Sequence, residues 1–251
     1  MKSLQELNSL ALKTRREWGE DGYSPIDIFA IVNGWREMKI TILKYPLSER
    51  ISGMCTKVDG DTVICINSAT SYGRQRFTLA HELYHVLYED LKGQVICNMS
   101  MSEDKPDSER EADIFASYLL MPYDALFQYA KDSEKTWTLD KVIEAEQFFQ
   151  VSHKAMLFRL VEDGFITGET LDQYSEVTIS REAALRGYGR ELYQYTPAGK
   201  AYFATGEYVR KVERIFDSGL ISIGKRDELL LDGYRADIVY NLGEEEGINN
   251  D

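Results

Sequence analysis

Residues 81–85 read His81, Glu82, Leu83, Tyr84, His85, an order of side chains suited to one kind of chemistry. On a helix each residue turns by about 100°, so His81 and His85 lie roughly 40° apart and can grip one cation together. Glu82 sits to the side of that pair, near enough to touch a water on the cation rather than the cation itself. Two neutral imidazoles and a carboxylate that takes a proton from water make a hydrolytic metal site. The chain has three histidines, and two of them form this pattern. Phe77, Leu79, Ala80, Leu83, Val86 and Leu87 surround it and make the helix a core element, where unpaired polar groups are costly.

A catalytic zinc needs a third protein ligand and one open position. The last histidine, His153, lies 68 residues beyond His85, so a carboxylate is expected instead. The stretch EREADIFASYLLMP, residues 109–122, offers two. Helical phase sets Glu109 and Glu111 about 200° apart, so one of them at most faces the ion. The Glu109 face carries Ala112, Asp113, Ala116 and Leu120, whose small alanines allow the close approach that a bond of about 2 Å demands. Glu109 is therefore the expected ligand, with Glu111 as the alternative. Asp113, one turn on, is placed to accept the outer N–H of a ligating histidine and fix its tautomer.

The elements that must hold these residues are legible in outline. Leu4 to Trp18 has helical spacing, and a second helix is predicted from Ser24 as N-cap, with Pro25 first in the helix, to Asn33-Gly34. Met38, Ile40 and Ile42 alternate, and Asp59-Gly60-Asp61 separates Thr56–Val58 from Thr62–Ile64 as a hairpin signal. A small antiparallel sheet of three strands follows. Arg76 to Glu89 is a helix stopped near Gly93, and another runs from Asp107 or Ser108 to Met121-Pro122. Further on, Leu139 to Gly164 reads as two helices broken at Val151-Ser152, Glu176 to Ser180 as a strand, Thr196 to Gly199 as a turn, Val209 to Asp217 as a helix, and Asp232 to Leu242 as a last helix before the acidic run Glu244-Glu245-Glu246.

The stretch RQRFTLAHELYH, residues 74–85, together with Glu109, Ala112, Asp113, Phe115, Ala116 and the run to Pro122, resembles the ImmA/IrrE family of zinc metallo-endopeptidases. Ser24 to Ile28, Ser52-Gly53 and Ile66-Asn67 add to the likeness, which covers about residues 1–165. The family more often has Asn where this chain has Asp113. The resemblance implies a compact helical protease core beside a small sheet, with His81, His85 and a Glu from the second motif as zinc ligands and Glu82 as base. It further implies a regulatory setting, a mobile-element or stress response, in which a helix-turn-helix repressor or the antitoxin of a toxin–antitoxin pair is the partner. For oxyanion stabilisation Tyr72, Tyr84, Tyr88 and Tyr118 stand as candidates. Val63 to Asn67 reads either as an edge that binds an extended substrate or as a plain strand.

Leu139 to Ile166 resembles a helix-turn-helix with Ser152 capping its second helix, and His153 reads as an exposed first-turn residue. Its charged residues are Lys141, Lys154 and Arg159 against Asp140, Glu144, Glu146, Glu162 and Asp163, so it lacks the basic footprint that phosphates require. The whole chain has 29 basic and 42 acidic residues, net −13, which also argues against direct DNA binding and against anionic membranes. Residues 167–251 hold 10 basic and 16 acidic residues, with aromatics at Tyr188, Tyr193, Tyr195, Tyr202, Phe203 and Tyr208. Cys55, Cys65 and Cys97 are odd in number and far apart, and residues 1–20 lack an apolar signal core, so a cytoplasmic location is expected.

These readings combine into an α+β protein: a mainly helical, zincin-like peptidase domain at 1–135 with a three-stranded antiparallel sheet, a helix-turn-helix-like segment at 136–166, and a C-terminal α+β region at 167–251. The expected activity is hydrolysis of peptide bonds by one catalytic Zn2+. The competing reading is a binding regulator or toxin component with a structural or idle zinc. Glu82 separates the two, because a closed structural site has no use for a carboxylate beside a water.

Overall fold

The computed structural model describes residues 1–90, 94–98, 106–131 and 137–242, with backbone alone for 94–98. Gly93, expected to stop the His81 helix, and the acidic run Glu244-Glu245-Glu246 lie outside these residues. Helix α1 (Leu4–Glu17) starts at Ser3, whose side chain accepts from Glu6 N while the Glu6 carboxylate accepts from Ser3 N. Helix α2 (Ile28–Gly34) is capped by Asp27, which accepts from Ala30 N, and not by Ser24. Two arginines hold the chain before α2 out of the helix. Arg15, fully buried on α1, donates to the Ser24 carbonyl, and Arg76 donates to the Ile26 carbonyl at 2.5 Å.

Five strands form one mixed sheet: β1 (Ile40–Tyr45), β2 (Ile51–Val58), β3 (Asp61–Asn67), β4 (Gln94–Asn98) and β5 (Phe203–Gly206), in the order β4-β2-β3-β1-β5. The β2–β3 hairpin turns at Asp59-Gly60, both at positive φ, as its sequence signal predicts. The expectation of three antiparallel strands is corrected in two respects. β1 lies parallel to β3, with Ile40 opposite Thr62, and two further strands join at the edges. Alternation marks a half-buried strand but says nothing of its neighbour or direction. Val63 to Asn67 is consequently no edge: β3 is bonded to β2 on one side and β1 on the other. β5 comes from far down the chain and pairs antiparallel with β1, so residues beyond 200 complete the sheet.

The core is filled where helix α3 (Tyr72–Tyr88) packs on β2 and β3, and α4 (Asp107–Leu120) packs on α3 and α1. Leu79, Ala80, Leu83, Ala112, Phe115 and Ala116 are buried in that seam. Helix α4 follows Pro106 without a side-chain cap. After it come α5 (Tyr123–Lys131), with no sequence expectation, then α6 (Leu139–Phe149) and α7 (His153–Glu162), the expected pair broken at Val151-Ser152. Helices α8 (Gly168–Ser175) and α9 (Ile179–Leu185) replace the strand expected at Glu176 to Ser180. Thr167 caps the first of them, and a short break at 176–178 separates two helical turns rather than starting a strand. Helix α10 (Glu207–Asp217) follows β5 and α11 occupies Ile223–Asp232, so Asp232 ends a helix, and the last helix expected from Asp232 to Leu242 is the short α12 (Ala236–Val239) within that span. No helix among the described residues is long and apolar enough to cross a membrane.

The α6–α7 pair is docked onto the core. A Cβ on Gly73 would meet the Ser152 backbone at 2.7 Å, so α7 starts in backbone contact with the first turn of α3. His153 is not the exposed residue its position suggests. Its Nδ1 donates to the fully buried Glu146 at 2.5 Å and its Nε2 to the Tyr174 carbonyl at 2.9 Å, while Tyr193 donates to the second Glu146 oxygen at 2.8 Å. Burial opposes the charged imidazole, but the bond to Glu146 outweighs it and holds His153 above its ordinary pKa of 6.5. A raised histidine stabilises the fold fully below 6.5 and loses that contribution as pH rises through the folded value. Thermal melts should therefore show stability falling from pH 6.5 upward in wild type and a flatter profile in His153→Gln. His153→Ala, which leaves Glu146 buried without its cation, should cost about 3 kcal/mol.

Candidate metal centre

Helix α3 begins at Ser71, whose hydroxyl accepts from Arg74 N, and it carries His81 and His85 on successive turns. Both are buried. Their Nε2 atoms lie 3.2 Å apart. Across the seam, α4 brings one Glu109 oxygen to 3.4 Å from His81 Nε2 and the other to 3.4 Å from His85 Nε2. Ligand atoms at tetrahedral angles around an ion with bonds of about 2 Å are separated by about 3.3 Å. The spacing of these three groups matches that requirement, and among the described residues they form the one cluster able to hold a metal.

The outer ring nitrogens are tied off. His81 Nδ1 bonds Asp113 Oδ1 at 2.9 Å, and His85 Nδ1 bonds Glu89 Oε2 at 2.8 Å. A carboxylate accepts, so each Nδ1 carries the hydrogen and each Nε2 lone pair turns inward, as a metal ligand must. Burial lowers the affinity of His81 for a proton, but its bonds to Asp113 and Glu109 overcome this and raise it to about 9. His85 is raised in the same way, through Glu109 and Glu89, while the two imidazoles hold Glu109 well below the usual carboxylate range despite its burial. The cluster therefore favours positive charge at its centre.

Of the residues singled out by spacing, His81, His85, Glu109 and Asp113 meet. Glu111 does not. It accepts from Lys2 N, from Lys2 Nζ at 2.7 Å and from the Tyr84 hydroxyl, which outweigh its burial and hold it at about 2. Those bonds pin the start of α1 to α3 and α4. Tyr84 and Tyr88 are likewise occupied elsewhere, their hydroxyls bonded to Glu111 and to Thr14. Tyr72 stacks on Phe29, and the Tyr118 ring lies under the Arg159 guanidinium.

Glu82 is fully buried on the flank of α3 that faces β2. Burial, and then the Glu82 charge, push the Cys55 thiol far up, and Cys65 rises to about 11 for the same two reasons. These thiols remain protonated and fill space. Gly53 permits the arrangement. A Cβ there would stand 2.6 Å from Thr78 Cγ2 and 2.9 Å from both the Cys65 carbonyl and Glu82 Oε1. Spacing arguments missed Gly53 and Glu89. Glu89 carried a usable signal, since it stands four residues after His85 on the same helix face. Gly53→Ala should force β2 away from α3 at Glu82. The expected outcome is a loss of about 1–3 kcal/mol in denaturant unfolding, together with loss of whatever hydrolysis Glu82 supports.

The sequence matches the peptidase family model described as the IrrE N-terminal-like domain over residues 36–161. That span contains His81, His85 and Glu109 and runs from just before β1 to near the end of α7. No curated protein matches the chain significantly. With half of its length matched, and with the donor cluster inside the matched half, the chain belongs to the M78 peptidases, the ImmA/IrrE metallopeptidase family.

Proposed function

We propose that the protein is a zinc-dependent endopeptidase of narrow specificity, with His81, His85 and Glu109 as metal ligands and Glu82 as general base. The observation that carries this is the convergence of two tautomer-locked imidazoles and one carboxylate, with no fourth protein donor in the cluster among the described residues. Three protein ligands and an open position characterise catalytic rather than structural zinc. A zinc ion held there would polarise the scissile carbonyl and make the attacking water more acidic. Glu82 takes the proton from that water and passes it to the leaving nitrogen. Asp113 and Glu89 keep both imidazoles facing inward.

The partner is read as a helix-turn-helix repressor or an antitoxin-type protein in the same cytoplasm, cut as part of a mobile-element or stress response. Family resemblance supports this choice, and so does the acidic character of the chain, which suits a protein partner better than DNA. The α6–α7 pair is already committed to packing through Gly73, Ser152 and His153. We read residues 1–135 as the peptidase unit, 136–166 as a packing or recognition module, and 167–251 as a region appended in sequence that nonetheless completes the sheet through β5.

Three variants test the site. Glu82→Gln should bind metal as wild type does, one ion per chain, and cut a neighbouring-gene helix-turn-helix protein roughly 10³-fold more slowly. Glu109→Gln should lose most of the metal. Glu111→Gln should keep both metal and activity while losing stability at neutral pH, a loss that shrinks as pH falls from 4.5 toward about 2. If wild type and Glu82→Gln both bind metal and partner but neither cuts it, the protein is a contact regulator and the peptidase reading fails.

A further inference from the structure

Where β1, the start of α3 and the C-terminal region meet, they form a cavity of about 840 Å³ whose walls include Lys44, Tyr72, Tyr195, Lys200, Tyr202 and Tyr234. It shares no residue with the His81, His85 and Glu109 cluster. We infer that this cavity binds a small ligand that combines a flat aromatic ring with a phosphate or carboxylate group. The inference goes beyond the peptidase reading and stands without it.

Charge points to an anion. The Lys44 ammonium is half-buried and lies 4.7 Å from the centre of the Phe29 ring and 5.7 Å from that of Tyr72. Among the described residues no carboxylate stands within ion-pair distance of Lys44 or Lys200. Burial, and then the charge of Lys200, hold Lys44 below its ordinary pKa, and an anion placed between the two lysines would relieve that repulsion. Of the two acids on the wall, Asp237 is taken by Arg235 through two bonds of 2.8 Å, and Glu191 is exposed to solvent. Lysines bind as point charges, so phosphate and carboxylate both satisfy them.

The rings point to a flat partner. Tyr195, Tyr202 and Tyr234 are 70%, 43% and 41% exposed, which leaves much aromatic surface for a ligand to cover. Their neighbours in sequence are used otherwise: Tyr193 and Tyr208 spend their hydroxyls on Glu146 and the Leu229 carbonyl. The Tyr202 ring stands edge-on to Tyr45 at 5.0 Å and tilted against Tyr234 at 5.2 Å, so it is set in place before a ligand arrives. Tyr234 has a φ of 58° and closes α11, a place where glycine is usual. A bulky ring on such a backbone is accounted for when the ring itself makes a contact that matters.

Size and placement agree. A cavity of this volume takes a ligand up to drug size, which admits a nucleoside monophosphate or an indole carboxylate. Lys44 and Tyr72 lie within the span matched by the peptidase family model, and the other four residues lie beyond it. The two parts are already joined at this point. The Gln194 carbonyl accepts from Tyr72 N at 3.0 Å, and Gln75 Nε2 donates to the Thr196 hydroxyl at 2.9 Å. A bound ligand would tie the C-terminal region to the first turn of the helix that carries His81.

Calorimetric titration and thermal melts of the full chain test this, with adenosine monophosphate and indole-3-acetate as probes. Adenosine, a ring without the charge, and inorganic phosphate, a charge without the ring, are the controls. At least one aromatic anion should bind saturably, about tenfold or more tighter than either control, and raise Tm by roughly 5–10 °C at about 100 times its Kd. The tighter of the two identifies the source as a nucleotide or an aryl carboxylate. Tyr234→Gly, which suits the local backbone and so keeps the fold, should weaken that binding about tenfold through lost stacking. Lys44→Met should weaken it by about as much through lost charge. No saturable binding of either anion below about 1 mM overturns the site. Binding no tighter than that of adenosine or phosphate overturns it too, and so does binding that survives unchanged in both variants.

Discussion

Two imidazoles on successive turns of a helix can share one ion only if both are held in the same tautomer with their inner nitrogens bare. In this protein Asp113 and Glu89 impose that condition, one from across the α3–α4 seam and one from the end of α3 itself. The rest of the structure serves this pair of hydrogen bonds. The seam must be close, and Ala80, Ala112 and Ala116 are buried along it. It must also be held in register along its length. Glu111 does this from the opposite face of α4, by bonding Lys2 and Tyr84 and so clamping α1 onto both helices. Two glutamates two residues apart thus have opposite duties, one toward the cation site and one toward the scaffold.

A second constraint comes from the sheet. Glu82 is buried on α3 where β2 crosses it, and the crossing is possible because Gly53 has no side chain to place between Thr78, the Cys65 carbonyl and Glu82. β2 is held by β3 on one side and β4 on the other, with Gly53 opposite Ile66 and Cys97. The Glu82 carboxylate, which we propose as the base, is therefore set against fixed backbone, while the groups that would hold the metal hang on two helices. The buried thiols of Cys55 and Cys65, kept protonated beside Glu82, add no competing charge.

The site was far more legible in the sequence than the sheet. Helical phase is set by local geometry, so the spacing of His81, Glu82 and His85 and the opposition of Glu109 to Glu111 carried directly into three dimensions. Asp113 followed by the same logic. Glu89 obeys it too, four residues after His85 and bonded to its Nδ1. Strand order and direction have no such local code. The alternation of Ile40 and Ile42 is the same whether β1 lies parallel or antiparallel to its neighbour, and β5 joins from more than 130 residues away. Ser24 looked like a cap because Pro25 follows it. Buried Arg15 and Arg76 claim the carbonyls of that stretch instead, and no local pattern records such distant partners. His153 was misread for the same reason: Tyr174 and Tyr193, which enclose it and Glu146, lie on other elements.

The central claim is that the three donors on α3 and α4 bind one metal ion through inward-facing nitrogens. A crystal structure of the zinc-loaded protein with anomalous data at the zinc edge tests it most directly. One anomalous peak is expected within about 2.1 Å of His81 Nε2, His85 Nε2 and a Glu109 oxygen, with Asp113 and Glu89 still on the two Nδ1 atoms and the fourth position open to solvent. A peak elsewhere, or one closed by a fourth side chain, would contradict it.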